Sequence, residues 1–224
     1  GPTGSRKTEV AAIIQSYFGA NWHGKHLPAA WSSTGNSLER QAFLAKDAVL
    51  VVDDFCPTGT TQDIARYHRE ADRLLRAQGN RAGRGRMRAD GSLAPEYFPR
   101  GIVVATGEDV PRGQSLRGRM LILEISSDTI NLSVLTRMQR AATEGLLAGA
   151  TGVFCQWLAP RLDQLAAALP VRYREQRDVI VQGQTHARHP TTLAGLTVTA
   201  EVFAQFATDH GVVLAADWLD TLQT

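Results

Sequence analysis

Apolar residues fall at two spacings along this chain. Between Lys7 and Phe18, Val10, Ile13, Ile14, Tyr17 and Phe18 recur at the three-and-four spacing of one helix face, and Gly19 closes the run. Pro28–Ser33 reads as a short strand, and Ser32, Ser33 and Thr34 lead into a helix over about 36–46. In Ala48-Val49-Leu50-Val51-Val52 every position is apolar, the pattern of a strand covered on both faces. Gly101-Ile102-Val103-Val104-Ala105 repeats it, and Met120–Ile125 is expected to be a further strand. Between them Thr60–Gln78 reads as a helix stopped by Gly79-Asn80, and Asp90-Gly91 signals a hairpin turn. After Asn131 only helical spacing remains: Leu132–Leu158 as one Ala-rich helix broken by Pro160, then helices over about 161–182, 193–210 and 212–222. Strands alternating with helices predict an α/β fold with a parallel sheet flanked by helices over 1–128, followed by a helical lid or bundle over 129–224.

Composition adds little to this picture. A hydrophobic share of 43% suffices for a core, and a net charge of +2 means that any nucleic-acid role must come from local patches. Cys56 and Cys155 stand far apart without metal-ligand spacing and read as reduced packing residues of a cytoplasmic protein. No apolar run approaches the roughly 20 residues needed to span a membrane. The histidine pairs His23/His26 and His186/His189 have no acidic or sulfur-bearing companions nearby and read as loop residues.

The chemistry begins with Gly1-Pro2-Thr3-Gly4-Ser5-Arg6-Lys7-Thr8, a phosphate-binding loop with Arg6 at the place of the second glycine. Glycines let several backbone N–H groups point at one phosphate, and the helix that follows aims its positive end at the same anion. The loop residues Gly1, Gly4, Ser5 and Arg6 would cradle phosphate, Lys7 would reach the β- and γ-phosphates, and the Thr8 hydroxyl would hold Mg²⁺. Arg6 either points outward harmlessly or impairs binding. Such a loop normally follows a buried strand, so a first, central strand is expected upstream of Gly1 in a longer protein.

The second signal stands 45 residues beyond Thr8, where the apolar run ends in Asp53-Asp54. Asp53 would hold Mg²⁺, and Asp54 would orient or deprotonate the attacking water. The pair of motifs at this separation points to ATP with Mg²⁺ far more specifically than either alone. Ser32–Thr34 either caps a helix or lies at a ligand-binding strand end. Between residues 66 and 100, nine arginines face four acids, a local charge of +5. Arg84, Arg86 and Arg88 on the Gly-rich hairpin suit phosphates of a nucleic acid; the alternative is a solvated loop paired with neighbouring acids.

The phrases GPTGSRKTE, WSSTGNSLE, VLVVDDF, READRLLRAQGN, GRGRMRADGSL and VVATGEDVPRGQSLRGR resemble, in this order, an AAA+ P-loop ATPase. They are most similar to the superfamily-3-like helicase domains of plasmid, phage and integrative-element replication proteins. The resemblance covers residues 1 to about 125. It implies an oligomeric, hexameric ATP-driven motor acting on DNA, single-stranded in the first place, fused to or paired with a primase-polymerase. It implies that Thr106 senses the γ-phosphate, with Glu108 assisting or capping a turn. It further implies that Arg119, or next Arg117, reaches a neighbouring subunit's site, with Arg188 as a lid arginine. Two rivals remain: a nucleotide-binding scaffold or DNA-loading module without turnover, and a monomeric P-loop phosphotransferase acting on a small molecule.

Overall fold

The chain divides into two compact units, Gly1–Thr151 and Gly152–Thr224, and the computed structural model describes residues 1–181 and 189–214. Unit 1 is α/β. Strands β1 (Ala29–Ala30), β2 (Val49–Phe55) and β3 (Ile102–Gly107) form a parallel sheet in that order. Its helices are α1 (Lys7–Ser16), α2 (Gly35–Leu44), α3 (Thr61–Asn80), the single turn α4 (Gln114–Arg117) and α5 (Leu132–Thr143).

The all-apolar run makes β2 the sheet's centre: it pairs with β1 and β3, and Val51 and Val52 are fully buried. On one face Trp31, Leu38, Leu74 and Leu116 close around Phe55, whose ring meets Trp31 edge-on at 5.5 Å. Gly101 admits β3 to this arrangement, because a Cβ there would strike the Ala48 carbonyl that accepts from Ile102 N. Helix α3 starts in a capping box in which Thr60 and Asp63 each bond the other's backbone N–H; the Thr60 hydroxyl, which also donates to the Asp63 carboxylate, and then the Thr60 amide hold that carboxyl below its usual range.

Three expectations change. Met120–Ile125 forms no strand, and Leu121 and Leu123 are exposed. Gly1 lies between this segment and the tip of β3: its amino group donates to Gly107 O at 3.5 Å, and a Cβ on it would strike the Ile125 carbonyl. Among the described residues the segment has no ladder partner. The buried face of α1 is Ala11, Ala12, Gln15 and Ser16, while Tyr17 and Phe18 are exposed. Small side chains let the helix lie close on β2, and the Gln15 amide bonds both Val49 O (3.1 Å) and Val51 N (2.9 Å). Those groups lie beyond the reach of the two-residue β1, which pairs only with Val52 and Asp53. Third, the run 132–158 is two helices, α5 and α6 (Leu146–Leu158), parted at Gly145 with φ 77°. Within unit 1, α5 rests on α1 through Gln139 Nε2, which donates to Glu9 Oε2 at 2.8 Å.

The expected hairpin is a turn on a minimal stem. Met87 and Leu93 form one antiparallel bridge, and Gly91, at φ 80°, donates to Arg88 O.

In unit 2 the end of α6 is followed by a 3-10 turn at Ala159–Arg161, then α7 (Leu162–Val181) and α8 (His189–Asp209). Phe154, Trp157, Phe203 and Phe206 form an aromatic cluster, and Trp157 Nε1 donates to Asp209 at 2.8 Å. Arg172 on α7 reaches Glu201 on α8 at 2.8 Å. Arg188, His186 and most of the helix expected at 212–222 lie outside the described residues. Among the described residues no helix is long and apolar enough to cross a membrane.

Candidate functional site: a cleft at the carboxyl ends of the parallel strands

The loop before α1 turns through two left-handed residues, Gly4 (φ 81°) and Arg6 (φ 60°, ψ 23°). Arg6 thus holds a backbone shape that glycine adopts freely and a side chain resists. Its carbonyl accepts the first helical bond, from Val10 N at 3.1 Å, so the amides at the start of α1 are left open toward the loop. Ser5 is buried, and its hydroxyl donates to Pro2 O at 2.8 Å. Lys7 folds back over the loop: its Nζ donates to Gly1 O (2.8 Å), Pro2 O (2.6 Å) and Ser5 Oγ (3.2 Å).

Strand β2 ends at this loop with an irregular register between Val52 and Phe55, where Asp54 has φ 65°. The bulge sends the two neighbouring carboxylates different ways: Asp53 turns in toward α1, and Asp54 stays exposed on the cleft wall. The hydroxyls of Thr8 (3.0 Å) and Thr106 both donate to Asp53 Oδ1, and Thr106 Oγ1 also accepts from Asp54 N at 3.1 Å. The bulge thus sets one carboxylate between a loop hydroxyl and a strand-tip hydroxyl.

Two residues past Thr106, Glu108 is pinned by its amide to Phe55 O at 3.1 Å. Its carboxylate accepts from the Thr3 hydroxyl, tying the loop to the tip of β3. Cys56 Sγ stands 3.8 Å from the same carboxylate; burial first, then the charges of Glu108 and Asp54, push this thiol up. The Thr3 contact was not foreseen in the sequence, where Thr3 is simply one of the loop's free positions. Together these groups line a cleft of about 500 Å³ that includes Lys7, Thr8, Asp54, Thr106 and Glu108.

The donor set fits a phosphate chain with Mg²⁺. A cationic Nζ held only by loop carbonyls and one hydroxyl, above the start of a helix, is available to an anion. Thr8 and Asp53 offer one hydroxyl and one carboxylate, the sparse protein ligand set of Mg²⁺, which takes its remaining ligands from water and phosphate. No cluster of three His, Cys, Asp or Glu suited to a metal occurs among the described residues.

The sequence candidates separate into those the cleft brings together and those it does not. Gly4, Arg6, Lys7, Thr8, Asp53, Asp54 and Thr106 converge there. Arg117 and Arg119 do not. Arg119 lies against the end of α3, bonding Asn80 Oδ1 (3.3 Å) and Ser115 Oγ (2.8 Å), while Arg117 is exposed at the end of α4. On the hairpin, Arg84 and Arg88 are exposed, but Arg86 Nη2 donates to Glu39 Oε2 (2.8 Å) and Asn36 Oδ1 (3.0 Å). Ser32 and Ser33 stand just past β1, and Thr34 caps α2 by accepting from Ser37 N at 3.3 Å. No family model, curated protein or solved structure matches the chain.

Proposed function

We propose that the cleft binds ATP with Mg²⁺ and hydrolyses it, and that the chain is the motor domain of a helicase-type ATPase acting on single-stranded DNA in phage or mobile-element replication. The observation that carries the reading is the shared carboxylate. Asp53 Oδ1 receives hydroxyls from the loop residue Thr8 and the strand-tip residue Thr106, beside a lysine that covers the loop. This joins the end of the apolar strand to a phosphate loop 45 positions upstream. A generic α/β crevice has no need of that arrangement.

In this reading Lys7 leaves its loop carbonyls for the β- and γ-phosphate oxygens. Thr8 and Asp53 would hold Mg²⁺, whose charge would offset that of the phosphates. Asp54 orients the attacking water and accepts its proton. The water oxygen bonds the γ-phosphorus as the bond to the β-phosphate bridging oxygen breaks, leaving ADP and phosphate. Thr106 holds Asp53 in place and would sense the γ-phosphate. Arg119 or Arg117 would act on a neighbouring copy in a homo-oligomeric, hexameric ring, beside a primase-polymerase. Neither arginine lines this chain's own cleft, which is compatible with that role.

One observation favours a second reading, binding without turnover: Arg6 holds a left-handed conformation where the motif has glycine. The experiment is ATP hydrolysis by the full-length protein with and without single-stranded DNA, beside Lys7→Ala and Asp54→Asn. Hydrolysis that rises with DNA and is lost in both variants supports the motor. ATP binding that survives Asp54→Asn, with no turnover in any form, supports the scaffold.

A further inference from the structure

A second cavity, of about 440 Å³, lies under the foot of the hairpin, between α2, α3 and the two hairpin legs. Its shape is fixed by one buried carboxylate. Glu39, 6% exposed, accepts at Oε2 from Arg73 of α3 (2.6 Å) and from Arg86 of the outgoing leg (2.8 Å), and Asn36 Oδ1 accepts from the same two guanidiniums. The legs close on each other at Gly83, where a Cβ would stand 3.0 Å from the Tyr97 backbone.

The wall combines three kinds of group. Leu74 and Ala77 of α3, with Tyr97 and Pro99 of the returning leg, give an apolar side. Arg76 and Arg84 stand at its rim. Arg76 is held by Asp72 at 2.7 Å, whereas Arg84 makes no hydrogen bond or ion pair among the described residues. Two wall residues also keep a buried atom without a partner: Glu39 Oε1, an acceptor, and Arg73 Nε, a donor. A cavity of this volume is the size of a small-ligand site. Its chemistry calls for a flat, largely apolar body with polar edges, joined to an anion. A nucleotide unit of a single strand has that composition, because a base offers edge donors and acceptors and its phosphate suits a free guanidinium.

We propose that this cavity seats one base of a single-stranded nucleic acid, with the adjoining phosphate on Arg84 and Arg76. The proposal rests on the nucleic-acid part of the function above and narrows it. Arg86 becomes the fastener that holds the hairpin leg to α2, and the base is received beneath the hairpin rather than along its tip.

The test uses the full chain and two fluorescently labelled 12-mers, oligo-dT and a strand of equal length made of abasic sites, read by anisotropy. The chain should bind oligo-dT about tenfold more tightly than the abasic strand, the scale of one seated base. Ala77→Phe, which fills the cavity, should lower oligo-dT binding to the abasic level and leave the abasic strand unchanged. Ala82→Phe, at the exposed rim, should do the same and carries no risk to the core. Arg84→Gln should weaken both strands and flatten the salt dependence by about one phosphate contact. If both cavity-filling variants keep the dT preference, or no preference exists, the base seat is wrong while the nucleic-acid reading stands. If neither strand binds, both are overturned.

Discussion

Replacing Gln15 by leucine should destabilise unit 1 by about 2 kcal/mol, although it exchanges a polar residue in a helix for an apolar one of similar length. Gln15 is 5% exposed, and its amide serves two ladder groups of β2 that no strand reaches: Val51 N, in a fully buried residue, and the half-buried Val49 O. A buried polar group left without a partner costs about 1–3 kcal/mol, so about 2 for the Val51 amide and about 1 for the Val49 carbonyl is a fair division. Leucine returns about 1 kcal/mol through added apolar burial, leaving about 2. In urea, with a slope near ~2 kcal/mol/M, the midpoint should fall by about 1 M at unchanged slope. Ser16→Ala is the control: Ser16 is as buried, but its hydroxyl bonds only Ala12 O on its own helix, at 2.8 Å, so the change should cost about 0.5 kcal/mol. A Gln15→Leu variant within 0.5 kcal/mol of the parent would refute the idea that this side chain stands in for a strand.

Arg6→Gly should favour the loop by about 0.5 kcal/mol, because a left-handed non-glycine residue costs about 1 kcal/mol and glycine's greater freedom in the unfolded chain offsets part of the gain. Amide exchange at Ser5–Thr8 should slow and ATP affinity rise about twofold over Arg6→Ala, which keeps the conformational cost; equal affinities of the two variants would count against it. His68 supplies a pH dependence. Burial first, then the Arg112 charge, lowers its pKa, against a smaller opposing effect of Asp109, and its Nδ1 accepts from Arg112 N at 3.3 Å. With the folded pKa below the unfolded value near 6.5, the contribution is complete above about pH 6.5 and is lost as pH falls through the folded pKa. His68→Leu should therefore flatten the fall of Tm below pH 6.5 and differ little from the parent at pH 8; parallel Tm curves for the two proteins would be the contrary result.

Strand β2 was readable because burial on both faces demands an apolar residue at every position, and Leu50, Val51 and Val52 satisfy that demand. Strand β3 was readable from its apolar run, but as the sheet's edge it is not covered on both faces, and Ile102 and Ala105 are exposed. The meeting of Thr8 and Asp53 was readable because each lies at the end of an element with a fixed direction. The face of α1 was not. Periodicity weights bulky side chains, whereas close approach to a sheet selects small ones such as Ala11 and Ala12, and Gln15 looks like a surface residue until its two strand partners are known. Met120–Ile125 has the composition of a strand, but a strand exists only with a neighbour, and composition does not say what stands beside it. The split at Gly145 turns on one left-handed residue inside a helical pattern that continues on both sides.

The arginine surplus shows the same limit in electrostatic form. Of the nine arginines between residues 66 and 100, Arg73, Arg76, Arg86 and Arg100 are each tied to a carboxylate: Glu39, Asp72, Glu39 and Asp47. Two of those acids, Glu39 and Asp47, lie outside the window in which the charges were summed, so the sum overstated what is available to a partner. For the hairpin itself the count falls from three guanidiniums to two, Arg84 and Arg88. Each phosphate neutralised on a single strand contributes about −0.7 to the slope of log affinity against log salt. The hairpin's share per copy is then nearer −1.4 than −2.1. So modest an electrostatic contribution is a reason to look for affinity in a shaped cavity, and the cavity under the hairpin is built from the carboxylate that took Arg86 out of the count.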